Sequence, residues 1–251
     1  MCIVKHTPHL IQLSADDPLP DPHSAWGSDT VAPGLLAIGG GLSVDRLLQA
    51  YGQGCFPWYS EGQPIMWWFT DPRMVLQVNH FRLHHSLRKI LTNLLKLQRL
   101  EIRIDQSFAR VIQECAQSNR QGQSGTWIVK EMIEAYIKLH QQGYAHSVEA
   151  WIDGQLAGGL YCVSIGRAVF GESMFTHQTN ASKLALAGLV ALCRAQQADW
   201  IDCQQNTQHL SSLGATEIPK QQFLADISHA SRMGSMVWEF EPIYWNHILQ
   251  R

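Results

Sequence analysis

With 251 residues, 45% of them hydrophobic and 16% charged, the chain is long enough to bury a sizeable core and to divide into two unequal domains. No stretch approaches the roughly eighteen apolar residues of a membrane helix, and the first residues show neither a long apolar stretch nor a small-residue cleavage site, so a cytoplasmic protein without membrane contact is expected. A net charge of -2 excludes attraction of nucleic acid by the molecule as a whole and leaves that task to a local patch.

Residues 15–34, rich in Asp, Pro, Gly and Ser, read as extended chain and turns. The stretch "GLLAIGGGLSVDRLLQAYGQGCFPWY" then combines a Gly-rich turn, Ser43 as an N-cap, and a short helix with Leu47, Leu48 and Tyr51 on one face. Gly39, Gly40 and Gly41 do not make a phosphate loop, because no Gly-Lys-Ser/Thr follows and the last glycine of GxGxxG is missing. Phe56, Trp58, Tyr59, Trp67, Trp68 and Phe69 follow, punctuated by Pro57 and Pro64. Rings at this density form either packed core or a stacking surface for a nucleotide base.

Residues 80–103 hold Arg82, Arg88, Lys89, Lys96, Arg99 and Arg103 against the single acid Glu101. Leu87, Ile90, Leu91, Leu94 and Leu95 recur at helical spacing, which predicts an opposite face of His85, Lys89, Thr92, Lys96 and Arg99. That stripe suits a phosphate backbone, and equally a solvated helix face. His80 and His84 lie one turn apart without a third ligand type nearby, so no metal is expected there. Further helices are predicted over 105–116, with Phe108, Val111, Ile112 and Cys115 inward, and over 130–141.

From His146 the period changes to two. Asp153-Gly154 and Gly166 mark turns between three strands, an antiparallel meander. Asn180 is placed to cap a helix over 181–198, and "DWIDCQ" reads as a buried strand returning beside the meander. The order predicts an α/β layer with mixed pairing. The six cysteines, Cys2, Cys55, Cys115, Cys162, Cys193 and Cys203, have no paired spacing and are expected as reduced, mostly buried thiols.

Two acids stand where apolar strands are predicted: Glu172, within "VFGESMF", and Asp202. Strand alternation places Asp202 and Gln204 on one face, an acid beside an amide. Such a pair suits acyl transfer, where a carboxylate accepts the proton of an attacking amine and an amide donates to a developing oxyanion. A structural reading stands beside it: Glu172 paired with Lys183 or capping a helix, and Asp202 held by backbone N–H groups.

"PIMWWFTDPR", "GTWI", "AYIKLHQQGYAHSVEAW", "GGLYCV", "GESMF", "NASK" and "IDCQ" with "HLSSLGA" and "IPKQQF", after the Gly-rich stretch quoted above, resemble the leucyl/phenylalanyl-tRNA-protein transferases over residues 34–223. The resemblance implies a bacterial cytoplasmic enzyme that moves Leu, Phe or, less readily, Met from aminoacyl-tRNA to the α-amine of proteins beginning with Arg or Lys, marking them for N-degron proteolysis. It implies an α/β fold of mixed α+β character with two domains. The first, residues 1–72, is small and mixed; the second, residues 73–251, is similar to acyl-CoA N-acyltransferases. No cofactor or metal is expected, and the chain is expected to be a monomer.

By the family pattern Asp202 and Gln204 are the catalytic pair, with Glu172 polarising the pocket edge and holding Gln204 and the cationic acceptor near the ester. Asp202 is then either a general base acting through Gln204 or the binder of the acceptor. The aminoacyl pocket maps onto Leu160, Val169, Met174, Leu186, Leu189 and Ile201, a bowl that should reject β-branched side chains. Trp58, Trp127 and Tyr136 match residues that cradle the terminal adenosine, and His85, Arg88, Lys89, Lys96 and Arg99 are expected along the tRNA backbone. Val169 and Leu189 stand where relatives can carry Phe, which implies a wider pocket. His85 stands where Arg is frequent, and Gly41 where Asp is. Two rivals are an acetyl-CoA-dependent acetyltransferase, whose pyrophosphate loop is missing after the meander, and a non-catalytic tRNA-binding module, against which Asp202 and Gln204 argue.

Overall fold

The computed structural model describes residues 7–118 and 128–250. A small sheet holds β1 (Gln12–Leu13), β2 (Leu35–Gly39), β3 (Phe56–Pro57) and β4 (Met66–Trp68) in the order β1-β2-β4-β3. Helix α1 (Val44–Gly52) connects β2 to β3 and starts where the sequence predicts, with Ser43 Oγ accepting the Arg46 N–H at 3.2 Å. A cap of this kind contributes about 1 kcal/mol.

The remaining chain gives β5 (Arg73–Gln77), α2 (His85–Lys96), β6 (Leu100–Ile104), α3 (Phe108–Gln117) and α4 (Lys130–Gln141). The meander follows as β7 (Ala145–Ile152), β8 (Gln155–Ile165) and β9 (Ala168–Thr176). Then come α5 (Ala181–Ala195), β10 (Trp200–Gln204), α6 (Gln208–Ser212), β11 (Thr216–Ile218), α7 (Lys220–Ala230) and α8 (Asn246–Leu249). The seven-stranded sheet has the order β11-β5-β10-β9-β8-β7-β6. Among the described residues only β9 and β10 pair in parallel within it, and α5 supplies the crossover that parallel neighbours require. Asp153 and Gly154 both have positive φ, 53° and 73°, as the two-residue turn between β7 and β8 demands.

Both faces of this sheet are covered. One carries α5 and α2, with Val148, Leu160 and Ile201 against Leu184, Leu189 and Val190. The approach of α5 is close: a Cβ on Gly158 of β8 would lie 2.7 Å from the Ala181 Cβ and 2.8 Å from the Ser182 nitrogen. The other face joins the small sheet, so that Leu36, Tyr51 and Trp67 share one cluster with Tyr136, Tyr161 and Phe170. Each such side chain, fully buried, contributes roughly 1.5–3 kcal/mol. Among the described residues no helix is long and apolar enough to cross a membrane.

The structure corrects three local expectations and shows where the aromatic rings lie. The helix expected from residue 105 starts at Phe108, because Asp105 takes a left-handed φ of 58° and its carboxylate holds the Ser147 N–H at 2.7 Å and His146 Nδ1 at 2.7 Å. Asn180 occupies the N-cap position of α5 with φ 71° and makes no side-chain capping bond. Helix α2 ends at Lys96, so Arg99 lies beyond the predicted stripe, and residues 100–104 form an edge strand whose alternation the helical pattern had concealed. Phe56, Tyr59, Trp67 and Phe69 are buried core, while Trp58 and Trp68 stay partly open.

Candidate active site

Two bulges on neighbouring strands build the site. On β9, Ser173 lies opposite Tyr161 and Gly171 opposite Cys162, leaving Glu172 as an extra residue. On β10, Asp202 lies opposite Val75 and Gln204 opposite Met74, leaving Cys203 extra, and Gln204 has a φ of 61°. Bulges take a residue out of the ladder and re-aim its neighbours. The simple alternation expected for Asp202 and Gln204 is therefore broken. Asp202 Oδ1 accepts the main-chain N–H of Gln204 at 2.9 Å, whereas the Gln204 side chain donates from Nε2 to Glu172 Oε1 at 2.8 Å.

Asp202 is fully buried, and Arg73, equally buried, grips both its oxygens: Nε to Oδ1 at 2.8 Å and Nη2 to Oδ2 at 2.6 Å. The Arg73 guanidinium carbon lies 4.5 Å from the Phe223 ring centroid, 4.9 Å from Phe56 and 5.6 Å from Phe69. Its Nη1 donates to Thr70 Oγ1 at 3.2 Å, and that hydroxyl donates to the Gln204 carbonyl at 2.8 Å. Asp202, expected either as a general base acting through Gln204 or as the binder of the acceptor, has Arg73 as its cation. A buried charge survives only with such a partner.

Glu172 answers to other neighbours than those expected. Tyr51 donates to Oε1 at 2.7 Å, Tyr136 reaches Oε2 at 3.5 Å, and the two phenols touch each other in a short hydrogen bond. Among the described residues its hydrogen-bond partners are these phenols and Gln204, not Lys183 or a helix end. Burial pushes its carboxyl up to about 7; the Tyr51 hydrogen bond opposes this, the Asp202 charge adds to it, and Arg73 and Gln204 oppose it. Burial, followed by the Glu172 charge, raises both phenols well above the ordinary tyrosine value, so they remain donors at neutral pH.

Beside this cluster opens a cavity of about 670 Å³. Leu160, Met174, Leu186, Leu189 and Ile201 make its apolar wall, with Glu172, Asp202, Gln204, Phe56 and Trp58 around the rest. Val169, expected in the wall, is instead a core residue opposite Ile201 and fully buried. Tyr136, expected to cradle adenosine, also buries its ring completely and offers only its hydroxyl, to Tyr51 and Glu172. Trp127 lies outside the described residues.

The basic residues lie apart from the cavity. His85, Lys89 and Lys96 are exposed on α2. Arg88 instead donates to the carbonyls of Leu249 and Ile248 at 2.9 and 3.2 Å, and Arg99 is paired with Asp153. Sequence reasoning missed Arg73, Tyr51, Thr207 and His209 as parts of the site. For Arg73 a signal existed, since it opens the apolar strand "RMVLQ" as a charge without an evident partner. Tyr51 was hidden by its own apolar ring, which fits the helix pattern that conceals its hydroxyl. Among the described residues no group of three His, Cys, Asp or Glu is placed to hold a metal ion.

Residues 75–228 match the family model described as leucyl/phenylalanyl-tRNA protein transferase, and residues 40–71 match that of its N-terminal domain. Proteins named leucyl/phenylalanyl-tRNA–protein transferase are similar over almost the whole length. That of Polaromonas sp. is 54% identical over 237 residues, 94% of this chain and 93% of the relative. That of Albidiferax ferrireducens is 52% identical over 242 residues, covering 96% and 95%, and that of Leptothrix cholodnii 52% over 245 residues, covering 97% and 96%.

Proposed function

This chain belongs to the leucyl/phenylalanyl-tRNA protein transferase family, and we propose that it moves Leu, Phe and, less readily, Met from aminoacyl-tRNA to the α-amino group of proteins beginning with Arg or Lys, so marking them for N-degron proteolysis. It is an aminoacyltransferase. The observation that carries the reading is the junction of the cavity wall, which takes an unbranched or γ-branched apolar side chain, with the Glu172–Gln204 pair at its edge.

The acceptor amine attacks the ester carbonyl, the C–N bond forms, and the ester C–O bond breaks. The tRNA leaves with its terminal hydroxyl, and one proton passes from the amine to that oxygen. An α-amine with a pKa near 8 is already partly neutral and the ester is activated, so positioning supplies most of the acceleration. Asp202 and Arg73 cancel each other's charge, and the net charge at the rim is that of Glu172. Ionised above about pH 7, Glu172 attracts the cationic acceptor and holds the Gln204 Nε2. The Gln204 amide then has its Oε1 to offer the attacking amine. Asp202, with Arg73, positions the Gln204 main chain rather than moving a proton.

Trp58, a partly open ring in the cavity lining, stacks on the terminal adenosine in this reading, and the exposed Lys89 and Lys96 serve the tRNA backbone. The division at residues 72 and 73, a cytoplasmic location and a monomeric state complete the proposal. The test is a peptide with N-terminal Arg incubated with the protein and tRNA charged separately with Leu, Phe, Met or Ile. Mass corresponding to Leu or Phe is expected on the peptide, little Ile, and nothing on an N-terminal Ala peptide. Folded protein that leaves every peptide unchanged overturns the reading.

A further inference from the structure

Transfer moves one proton from the acceptor amine to the departing ribose oxygen, and the groups described so far leave that proton without a carrier. Asp202 is held by both arms of Arg73. Glu172 accepts from Tyr51, Tyr136 and Gln204 and serves through its charge. Two of the other titratable side chains on the cavity wall belong to the packing: Cys203 Sγ donates to the Ile201 carbonyl at 3.6 Å, and Tyr161 is fully buried, edge-on to Phe108 and Tyr136. His209 remains, on the same wall, in the stretch "HLSSLGA".

We propose that His209 is a further catalytic residue of the transfer, its imidazole taking the proton of the attacking amine and handing it to the ribose oxygen of the leaving tRNA. This role presupposes the transfer reading above. As the C–N bond forms, the amine nitrogen gives its proton to a ring nitrogen; as the ester C–O bond breaks, the resulting imidazolium gives that proton to the departing oxygen. The imidazole ends as it began, and no further reactant is needed.

The way α6 is held supports this use. None of its five residues is buried, so it adds little to the core, yet both its ends are fixed. At the start, Thr207 Oγ1 accepts the Leu210 N–H at 3.2 Å, just after Gln204, whose carbonyl is held by Thr70. At the end, the Arg82 N–H donates to the Leu213 carbonyl at 2.8 Å and His84 Nε2 to that of Ser212 at 2.9 Å. Gly214, with φ 102°, closes so tightly on the segment before α2 that a Cβ there would lie 2.3 Å from the His80 carbonyl oxygen. A helix that packs little and is held at both ends is a mount for what it displays at the cavity, Thr207, His209 and Leu210.

The ring itself is open for the task. His209 is exposed, and its hydrogen bonds run through its carbonyl, which accepts from Ser212 Oγ at 2.6 Å and from the Leu213 N–H at 3.3 Å. Among the described residues neither ring nitrogen has a hydrogen-bond partner, so one can accept a proton and release it without breaking a bond of the fold. Desolvation at the cavity, followed by the Lys183 charge, holds the imidazole below its ordinary value of 6.5. At neutral pH it is therefore the uncharged form, the one that accepts a proton.

Single-turnover transfer of Leu from charged tRNA to a peptide with N-terminal Arg, with the protein in excess, tests the role. His209→Gln and His209→Ala should each slow the transfer step on the order of 100-fold. Affinity for charged tRNA and the melting transition should stay those of the wild type, because the ring holds nothing in the fold. Added imidazole should restore much of the rate of His209→Ala, whose seat is empty, and little of that of His209→Gln. A wild-type rate in His209→Gln, a loss confined to tRNA affinity, or no response of His209→Ala to imidazole each overturns the role and leaves the transfer reading standing. A folded wild type that transfers nothing overturns both.

Discussion

The carboxylates of β9 and β10 and the cations of α2 are both charged groups in conspicuous places, and the fold treats them differently. Glu172 and Asp202 converge, with Arg73, Gln204 and two tyrosines, into one network. The α2 cations disperse: Arg88 turns to the C-terminal carbonyls, and Lys89 and Lys96 stay in solvent. A charge inside a strand is costly, so its presence demands a partner and points to one. A surface charge costs almost nothing and points nowhere by itself.

The largest difference should appear on removing Arg73. Arg73→Met strands Asp202 as a buried unpaired charge, and urea unfolding should show a loss of about 3–5 kcal/mol together with loss of transfer. Lys89→Glu with Lys96→Glu should shift the same transition by no more than about 0.5 kcal/mol. Equal losses in both variants would erase the contrast.

Glu172→Gln should lower transfer on the order of 100-fold and remove a limb near pH 7 from the rate profile. Its stability effect has the opposite sign. The folded carboxyl titrates near 7 and its ordinary value is 4.5, so between these the native state keeps a proton that the unfolded chain has released. Stability therefore falls as pH rises through that window. Glu172→Gln should be more stable than the parent at pH 8, by at most about 3 kcal/mol, and gain nothing at pH 4. Melting curves at the two pH values decide.

Smaller is the effect of Tyr51→Phe. The Tyr51 hydrogen bond draws the Glu172 carboxyl downward, so its loss moves the limb above 7. The cost in stability is about 1–2 kcal/mol. A limb that stays in place removes Tyr51 from the network. The mildest change is the Lys89 and Lys96 pair acting on tRNA: binding weakens, and the slope of log affinity against log salt falls by roughly one per lost phosphate contact. An unchanged slope places the tRNA elsewhere.

Much of the fold was legible because periodicity reports on burial. The meander showed itself through alternation and its Asp153-Gly154 turn, α4 matched its predicted bounds, and Ser43 announced α1. The short strands around Pro57 and Trp67 were not legible, because their aromatic density has no period. In the site, Glu172, Gln204 and Asp202 could be found as polar residues in apolar strands, whereas their partners could not. Arg73 lies 129 residues from Asp202 and Tyr51 lies 121 from Glu172, separations that no local pattern spans. The bulges were equally hidden, since register belongs to the pairing and not to either strand alone.

The bulge on β10 also places a sulfur in the wall of the cavity, at Cys203. Burial pushes that thiol up to about 12, as it does those of Cys55 and Cys193, so almost none of it is thiolate at neutral pH. Alkylating agents and peroxides react with the thiolate. The enzyme therefore carries a cysteine beside its reacting groups in the thiol form, which disfavours its oxidation and its alkylation by iodoacetamide.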